Sequence, residues 1–211
     1  MSARRESGAL AGAIVAILRR DHVDALGRRM VIGVAGESGS GKTVTAAALA
    51  AALAADGVRC AVLHQDDYFR LPPLANHARR CLNLAHVGPS EVDLPALDAD
   101  IAAFRAGRDG VVVPRADQAT DSFLTHRLDF GPVELLIVEG TYVLLLEALD
   151  VRIFLSATHE ETRERRVRRN RDPDEPVIDQ VLAIEHEIVA AQADVADLVI
   201  DRHCTVTTRR L

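Results

Sequence analysis

The segment Gly36-Glu37-Ser38-Gly39-Ser40-Gly41-Lys42-Thr43 fits the pattern GxxxxGK[ST], and its residue types suit one task, the cradling of a chain of phosphates. Glycines let successive backbone N–H groups turn inward toward phosphate oxygens, and a following helix would add the partial positive charge of its first turn. Lys42 would bridge the β- and γ-phosphates of a nucleoside triphosphate, and the Thr43 hydroxyl would ligate Mg2+. The chain contains 24 arginines and a single lysine, Lys42. A composition that otherwise uses arginine for positive charge keeps a compact, flexible ammonium where a planar guanidinium does not replace it.

Glu139 closes the apolar run 135–138 and resembles the end of a Walker B strand, with Glu in place of the commoner Asp. Its carboxylate is a candidate to hold Mg2+ directly or through water. Asp66 and Asp67 follow a second apolar run. Ligands of open α/β sheets gather outside the carboxyl ends of the strands, so Gly36, Asp66 and Glu139 are expected to share one edge. Asp66 is the candidate to accept the proton of an attacking hydroxyl, acting mainly by positioning the nucleophile. Asp67 reads more simply as a turn aspartate bonding its own backbone.

Between Thr158 and Asp172 stand Arg163, Arg165, Arg166, Arg168, Arg169 and Arg171, with Val167 the only large apolar residue. A helix here has no stripe to bury. It is either a solvated face stabilised by Glu161–Arg165 and Glu164–Arg168 pairs, or a mobile lid that brings arginines over the phosphates. Six cations in a chain of net charge -6 need an anionic counterpart, which favours the lid. Tyr68, Phe69 and Phe123 fall in expected loops, where packing is the stronger reading than stacking on a substrate. The eight histidines show no metal-ligand spacing and receive no role.

The elements that must position these groups follow from apolar patterning. Strands are expected over 30–35, 58–64, 111–113, 133–138, 151–155 and 198–200. Helices are expected over 44–55, 94–106 and 177–191, and a charged helix should open at Thr158 with Glu161 completing a capping box. Residues 70–89 read as loop with room for a short helix, and 115–127 as irregular. Leu10, Ile14, Ile17 and Leu18 form the stripe of an amphipathic helix, so the N-terminal apolar segment is read as packing rather than targeting. Strands alternating with helices give a doubly wound parallel sheet, α/β, covered on both faces. Residues 1–29 should form an N-terminal helix packed on one domain spanning 30–211. The apolar stripe of the helix over 9–20 also offers an interface for a homo-oligomer.

Composition narrows the class. An apolar fraction of 48% describes a globular chain, and no apolar run is long enough to span a bilayer. The net charge of -6 speaks against nucleic acid as a partner. Cys60, Cys81 and Cys204 are widely spaced, which suggests a reducing, cytoplasmic setting rather than a disulfide framework. With Lys42 the only lysine there is no NKxD motif, which excludes a GTPase switch, and no LSGGQ-like segment supports an ABC-type ATPase.

In this order the motifs resemble the uridine kinase-like branch of the P-loop kinases, which includes phosphoribulokinase and bacterial-type pantothenate kinases. The resemblance rests on GESGSGKT, then Gln65-Asp66-Asp67-Tyr68-Phe69, then Ile137-Val138-Glu139-Gly140, then the arginines near Arg163. It implies transfer of a phosphoryl group from ATP, with Mg2+, to a hydroxyl of a small molecule, a nucleoside first of all. Asp66 then matches the catalytic base, and Thr43 and Glu139 match the Mg2+ ligands, with Asp66 beside them. Arg163 and Arg166 match lid arginines. One departure stands out: where uridine kinases carry a base-holding tyrosine and histidine after the strand at 111–114, this chain reads Arg115-Ala116-Asp117-Gln118-Ala119-Thr120, with His126 displaced. A kinase of a non-nucleoside hydroxyl metabolite and a non-catalytic ATP-binding module are the alternatives.

Overall fold

Parallel strands buried on both faces carry near-continuous apolar runs, and Met30–Gly36 and Leu135–Glu139 are buried at every position. The computed structural model describes residues 2–21, 29–164, 166 and 176–209. Its main sheet has six strands in the order β2-β5-β1-β6-β7-β8. These are β1 (Met30–Gly36), β2 (Cys60–His64), β5 (Leu135–Glu139), β6 (Val151–Leu155), β7 (Leu198–Ile200) and β8 (Val206–Thr208). The first five are parallel and β8 runs antiparallel to β7. The remaining strands, β3 (Val111–Asp117) and β4 (Ser122–Leu128), form a separate antiparallel hairpin.

Alternate residues of the sheet feed two cores. Met30, Ile32, Val34, Leu135, Ile137, Val151 and Ile153 face α1 (Ser2–Asp21) and α2 (Lys42–Ala55), which bring Leu10, Ile14, Leu18, Leu49 and Leu53. Val31, Ala35, Leu136, Val138 and Phe154 face the other core, with Leu97, Ile101 and Phe104 of α4 (Leu94–Arg105) and Val189 of α5 (Pro176–Ala190). The remaining helix, α3 (Pro73–Leu82), follows β2. The chain leaves β1 toward one face and leaves β2 toward the other. That divergence opens a crevice over the carboxyl ends of the strands.

The doubly wound α/β sheet is the architecture expected from the alternation of elements. Three local differences have physical causes. Residues 115–127 are not irregular: the hairpin is paired from Val111↔Leu128 to Asp117↔Ser122. Most of its side chains are at least partly exposed, so neither strand shows the alternation that marks a half-buried one. Its turn is held by Asp117, which accepts from Ala119 N and Thr120 Oγ1 at 2.9 and 2.7 Å. A full helix, α3, starts with proline in its first turn inside the expected loop. The N-terminal stripe is spent in the molecule itself, since Ile14 and Leu18 are wholly buried beside α2. Arg165, Arg168, Arg169 and Arg171 of the expected lid lie outside the described residues.

One buried side chain ties the ends of β2 and β5 together. Gln65, just past β2, is fully buried, and its Oε1 accepts from Tyr142 N at 2.6 Å. The chain beyond β5 passes so close that a Cβ on Gly140 would run into the Gln65 side chain. Gly140 in turn donates from its N to Val34 O of β1 at 3.1 Å. Three strand ends are thereby held at a spacing that only a residue without a side chain permits.

Two outcomes follow. Leu18→Ala should cost about 2–4 kcal/mol by opening a cavity in the face of α1, seen as a melting temperature lower by roughly 5–15 °C. Gly140→Ala should cost about 1–3 kcal/mol by overpacking; denaturant unfolding unchanged from the parent would contradict the Gln65 clamp.

Candidate functional site

Phosphate cradling needs bare backbone; two glycines of the 36–43 loop leave no room for a side chain, and a third adopts a backbone that disfavours one. A Cβ at Gly36 would lie 2.6 Å from the Leu155 carbonyl oxygen, and one at Gly39 would lie 2.8 Å from Arg166 Cγ. Gly41 has room for a side chain but adopts φ 106°, a conformation L residues rarely take. Gly41 caps α2 without a side-chain hydrogen bond, leaving the first-turn N–H groups aimed into the loop. Lys42 Nζ donates to the Glu37 carbonyl at 3.0 Å, so the ammonium rests over the loop. Ser40 Oγ is buried with no partner among the described residues. A buried hydroxyl without a partner is costly, and a phosphate oxygen would satisfy it.

Sheet register brings the acids to the same edge. Glu139 pairs across β5 with Val34 of β1 and with His64 of β2. Its buried Oε1 accepts from Thr43 Oγ1 at 3.0 Å and lies 2.7 Å from His64 Nδ1. The hydrogen bond to Glu139 raises the His64 pKa; burial opposes it, and the charges of Glu139, Asp67 and Asp66 add to it. Asp66 follows two residues after β2, on a short 3-10 turn (Gln65–Tyr68). Desolvation by the surrounding protein, then the Glu139 carboxylate, push the Asp66 pKa up, while Lys42 pulls it down. The side chain still reaches solvent at the mouth of the crevice, so an incoming hydroxyl has access. Asp67 does not bond its own turn: its Oδ1 accepts from Ala116 N of β3 at 2.8 Å and holds the hairpin beside the site.

The segment leaving β6 lies against the loop from the other side. Thr158 and Glu161 form the expected reciprocal cap, with bonds of 3.0 and 3.3 Å. Thr162 Oγ1 donates to Ser38 O at 3.1 Å. Arg166 is buried over Gly39, and its Nε and Nη1 have no partner among the described residues. A buried, unpaired guanidinium demands an anion. Arg163 is exposed, whereas Arg166 lies against the loop at Gly39. Ala157, Glu161 and Thr162 face Arg202 and His203 across a cleft beside the loop.

Other groups carried no signal in the sequence. The Glu37 carboxylate is gripped by His159 and His186, residues more than a hundred positions away. Arg80 of α3 bonds Glu91 through Nε at 2.5 Å and Glu185 of α5 through Nη2 at 2.9 Å. Asn76 Nδ2 donates to Glu91 Oε1 at 3.0 Å. Desolvation raises the pKa of Glu185, opposed first by the charge of Arg80 and then by that of Lys42. Tyr142 Oη and Asn76 Oδ1 are buried there without partners among the described residues. Of the aromatics, Tyr68 is buried and donates to Asp100 Oδ2 at 2.8 Å, and Phe69 packs under the Arg80 guanidinium.

Known proteins with similar sequences and folds agree with this geometry. The bifunctional alpha-galactosidase/sucrose kinase AgaSK of Mediterraneibacter gnavus is 31% identical over 192 residues, 84% of this chain and 20% of that protein. The chain thus spans about a fifth of that relative's length. The uridine kinase of Macrococcus caseolyticus is 28% identical over 188 residues, covering 83% of this chain and 89% of that one. Among solved structures, a possible uridine kinase from Bacillus stearothermophilus shares the fold at a TM-score of 0.61 and 22% identity, covering 94% and 99% of the two chains. The model described as Phosphoribulokinase / Uridine kinase family matches residues 31–209. With the glycine loop, the strand-end acids and that match in agreement, the chain belongs to the phosphoribulokinase/uridine kinase family of small-molecule kinases.

Proposed function

We propose that the chain transfers the γ-phosphoryl group of ATP to a hydroxyl of a small, polyhydroxylated acceptor. The observation that carries this is the convergence of Lys42, the Thr43–Glu139 pair and Asp66 at the carboxyl ends of three neighbouring strands. Residues 36–43 hold the phosphates. Ser40 Oγ and Arg166 Nε and Nη1, without partners among the described residues, fit a polyphosphate, and the oxygen donors Thr43, Glu139 and Asp66 suit Mg2+. Bound there, Mg2+ would neutralise charge on the transferring group.

Asp66 takes the proton of the acceptor hydroxyl as its oxygen bonds to the γ-phosphorus and the bond to ADP breaks. Its upward-shifted pKa makes it a better proton acceptor than an ordinary carboxylate. Lys42 and Arg166 face the charge that develops on the phosphoryl oxygens, and Arg163 joins them only if the lid closes. In the same reading, residues 30–211 are the kinase domain, residues 1–29 are an addition packed on it, and the protein works in the cytoplasm. No helix among the described residues is long and apolar enough to cross a membrane.

A nucleoside is the acceptor that the motifs first suggest, and relatives named uridine kinase support it. The acceptor side supports a sugar-like molecule better. Tyr68 and Phe69 are committed to packing, which leaves Phe123, paired with Ala116 in the hairpin, as the remaining ring of the three candidates. Within the network of Asn76, Arg80, Glu91 and Glu185, Asn76 Oδ1 and the nearby Tyr142 Oη lack partners among the described residues and suit ligand hydroxyls. A relative named for sucrose kinase activity points the same way.

Asp66→Asn should lower kcat by roughly 10²–10⁴-fold while ATP affinity, measured by calorimetry, stays within a few-fold; near-parental turnover would remove Asp66 from its role. A panel of sugars, polyols and nucleosides assayed for ADP release should show the highest kcat/KM with a sugar or polyol. Preference for uridine would restore the nucleoside reading, and tight ATP binding with no product across the panel would favour a non-catalytic module.

A further inference from the structure

Glu37 occupies the first variable position of the phosphate loop, where the general pattern asks for nothing in particular. Its side chain is nevertheless buried, at 6% exposure, and saturated with donors. Oε2 accepts from His159 N at 2.6 Å and lies 2.8 Å from His159 Nδ1. Oε1 lies 2.7 Å from His186 Nδ1 of α5. The two imidazoles meet edge to face, 5.6 Å apart between centroids. The main chain of the same residue holds the catalytic lysine, because the Glu37 carbonyl accepts from both Lys42 Nζ and Ser40 N. Glu37 is therefore the point at which three separate elements reach the loop: the segment after β6, helix α5 and Lys42 itself.

We propose that His159 and His186 are positioning residues for the phosphate loop, acting through Glu37, and that their grip couples ATP binding to pH. The segment after β6 then docks by three successive contacts on three successive loop residues: His159 on Glu37, Thr162 on Ser38 and Arg166 on Gly39. Helix α5 completes the grip through His186, so two elements distant in the chain close on one loop side chain. A hydrogen bond from a protonated imidazole to a carboxylate is shorter and about twice as strong as one from a neutral donor.

The direction of the pH effect follows from the charges around His186. Among the described residues these are Glu37 of the loop, Glu187 of α5 and Glu160 of the segment after β6. The bond to Glu37 is the largest influence and raises the His186 pKa, burial lowers it, and the three carboxylates raise it further. The protonated form is thus favoured by the folded loop. The grip is complete below the ordinary histidine range and loosens as pH rises through the raised pKa.

This inference rests on the reading that the 36–43 loop binds ATP. The test uses the full chain with two variants, Glu37→Gln and His186→Gln. KM for ATP and kcat are measured from pH 5.5 to 8.5, with titration of the imidazoles by NMR without nucleotide. In the parent, KM for ATP should rise about 3–10-fold toward the alkaline end, the effect of exchanging a charge-assisted for a neutral hydrogen bond. His186→Gln keeps a neutral donor on a partly exposed side chain; it should show the alkaline KM throughout, with kcat changed less than KM. In Glu37→Gln the His186 titration should move down toward the ordinary value. An alkaline rise that persists in His186→Gln would overturn the proposal. So would an unmoved His186 titration in Glu37→Gln; if that variant does not fold, the pH profile of His186→Gln decides alone. Zn2+ affinity in the micromolar range, lost in His186→Gln, would assign the cluster to metal binding and also overturn it. If the parent binds no ATP at any pH, the nucleotide reading fails instead, and the NMR titration still reports on the grip.

Discussion

Backbone N–H groups can hold phosphates only where no side chain stands between them and the ligand, and everything around this site is arranged to keep the 36–43 loop bare yet rigid. Gly36 runs against the Leu155 carbonyl of β6, and Gly39 lies under Thr162 and Arg166. The loop is therefore packed on its outer side by the elements that also serve the chemistry. Added bulk at either glycine would push away β6 or the segment that follows it, so phosphate binding and the placement of Arg166 cannot vary independently. The same close-approach constraint recurs at Gly140, where a missing Cβ lets the end of β5 pass Gln65.

Charge is balanced tightly at this edge. Asp66, Asp67 and Glu139 are drawn together by sheet register, with Lys42 and His64 opposing them. Three carboxylates so close repel one another, which suits a place where Mg2+ and a polyphosphate arrive together. The unpartnered nitrogens of Arg166 carry the complementary demand for an anion. Cations would thus face a bound polyphosphate from the loop and from the segment after β6, with the acids beside them at the strand ends.

Much of this was legible in the residues. The loop announces itself because its fixed positions each answer a local requirement of backbone geometry or charge, and the apolar runs before Gly36, Asp66 and Glu139 mark buried parallel strands. The hairpin was not legible, since most of its side chains are at least partly exposed and a surface ribbon has no alternating pattern to display. The histidines were not legible either. His159 and His186 stand 122 and 149 residues from Glu37, and spacing along a chain says nothing about contacts made across a sheet.

The sequence by itself determined the phosphate loop, the order of the strands along the chain and the identity of the strand-end acids, because those depend on conformation and polarity within a few residues. Only the tertiary structure decided that β5 inserts between β1 and β2, which sets Glu139 against both Thr43 and His64. It also decided that Arg166 lies against the loop, that Asp67 serves the hairpin, and that Arg80 joins α3 to α5 through Glu185. Each of these is a contact between distant segments, and its geometry exists only once the two faces of the sheet have been packed.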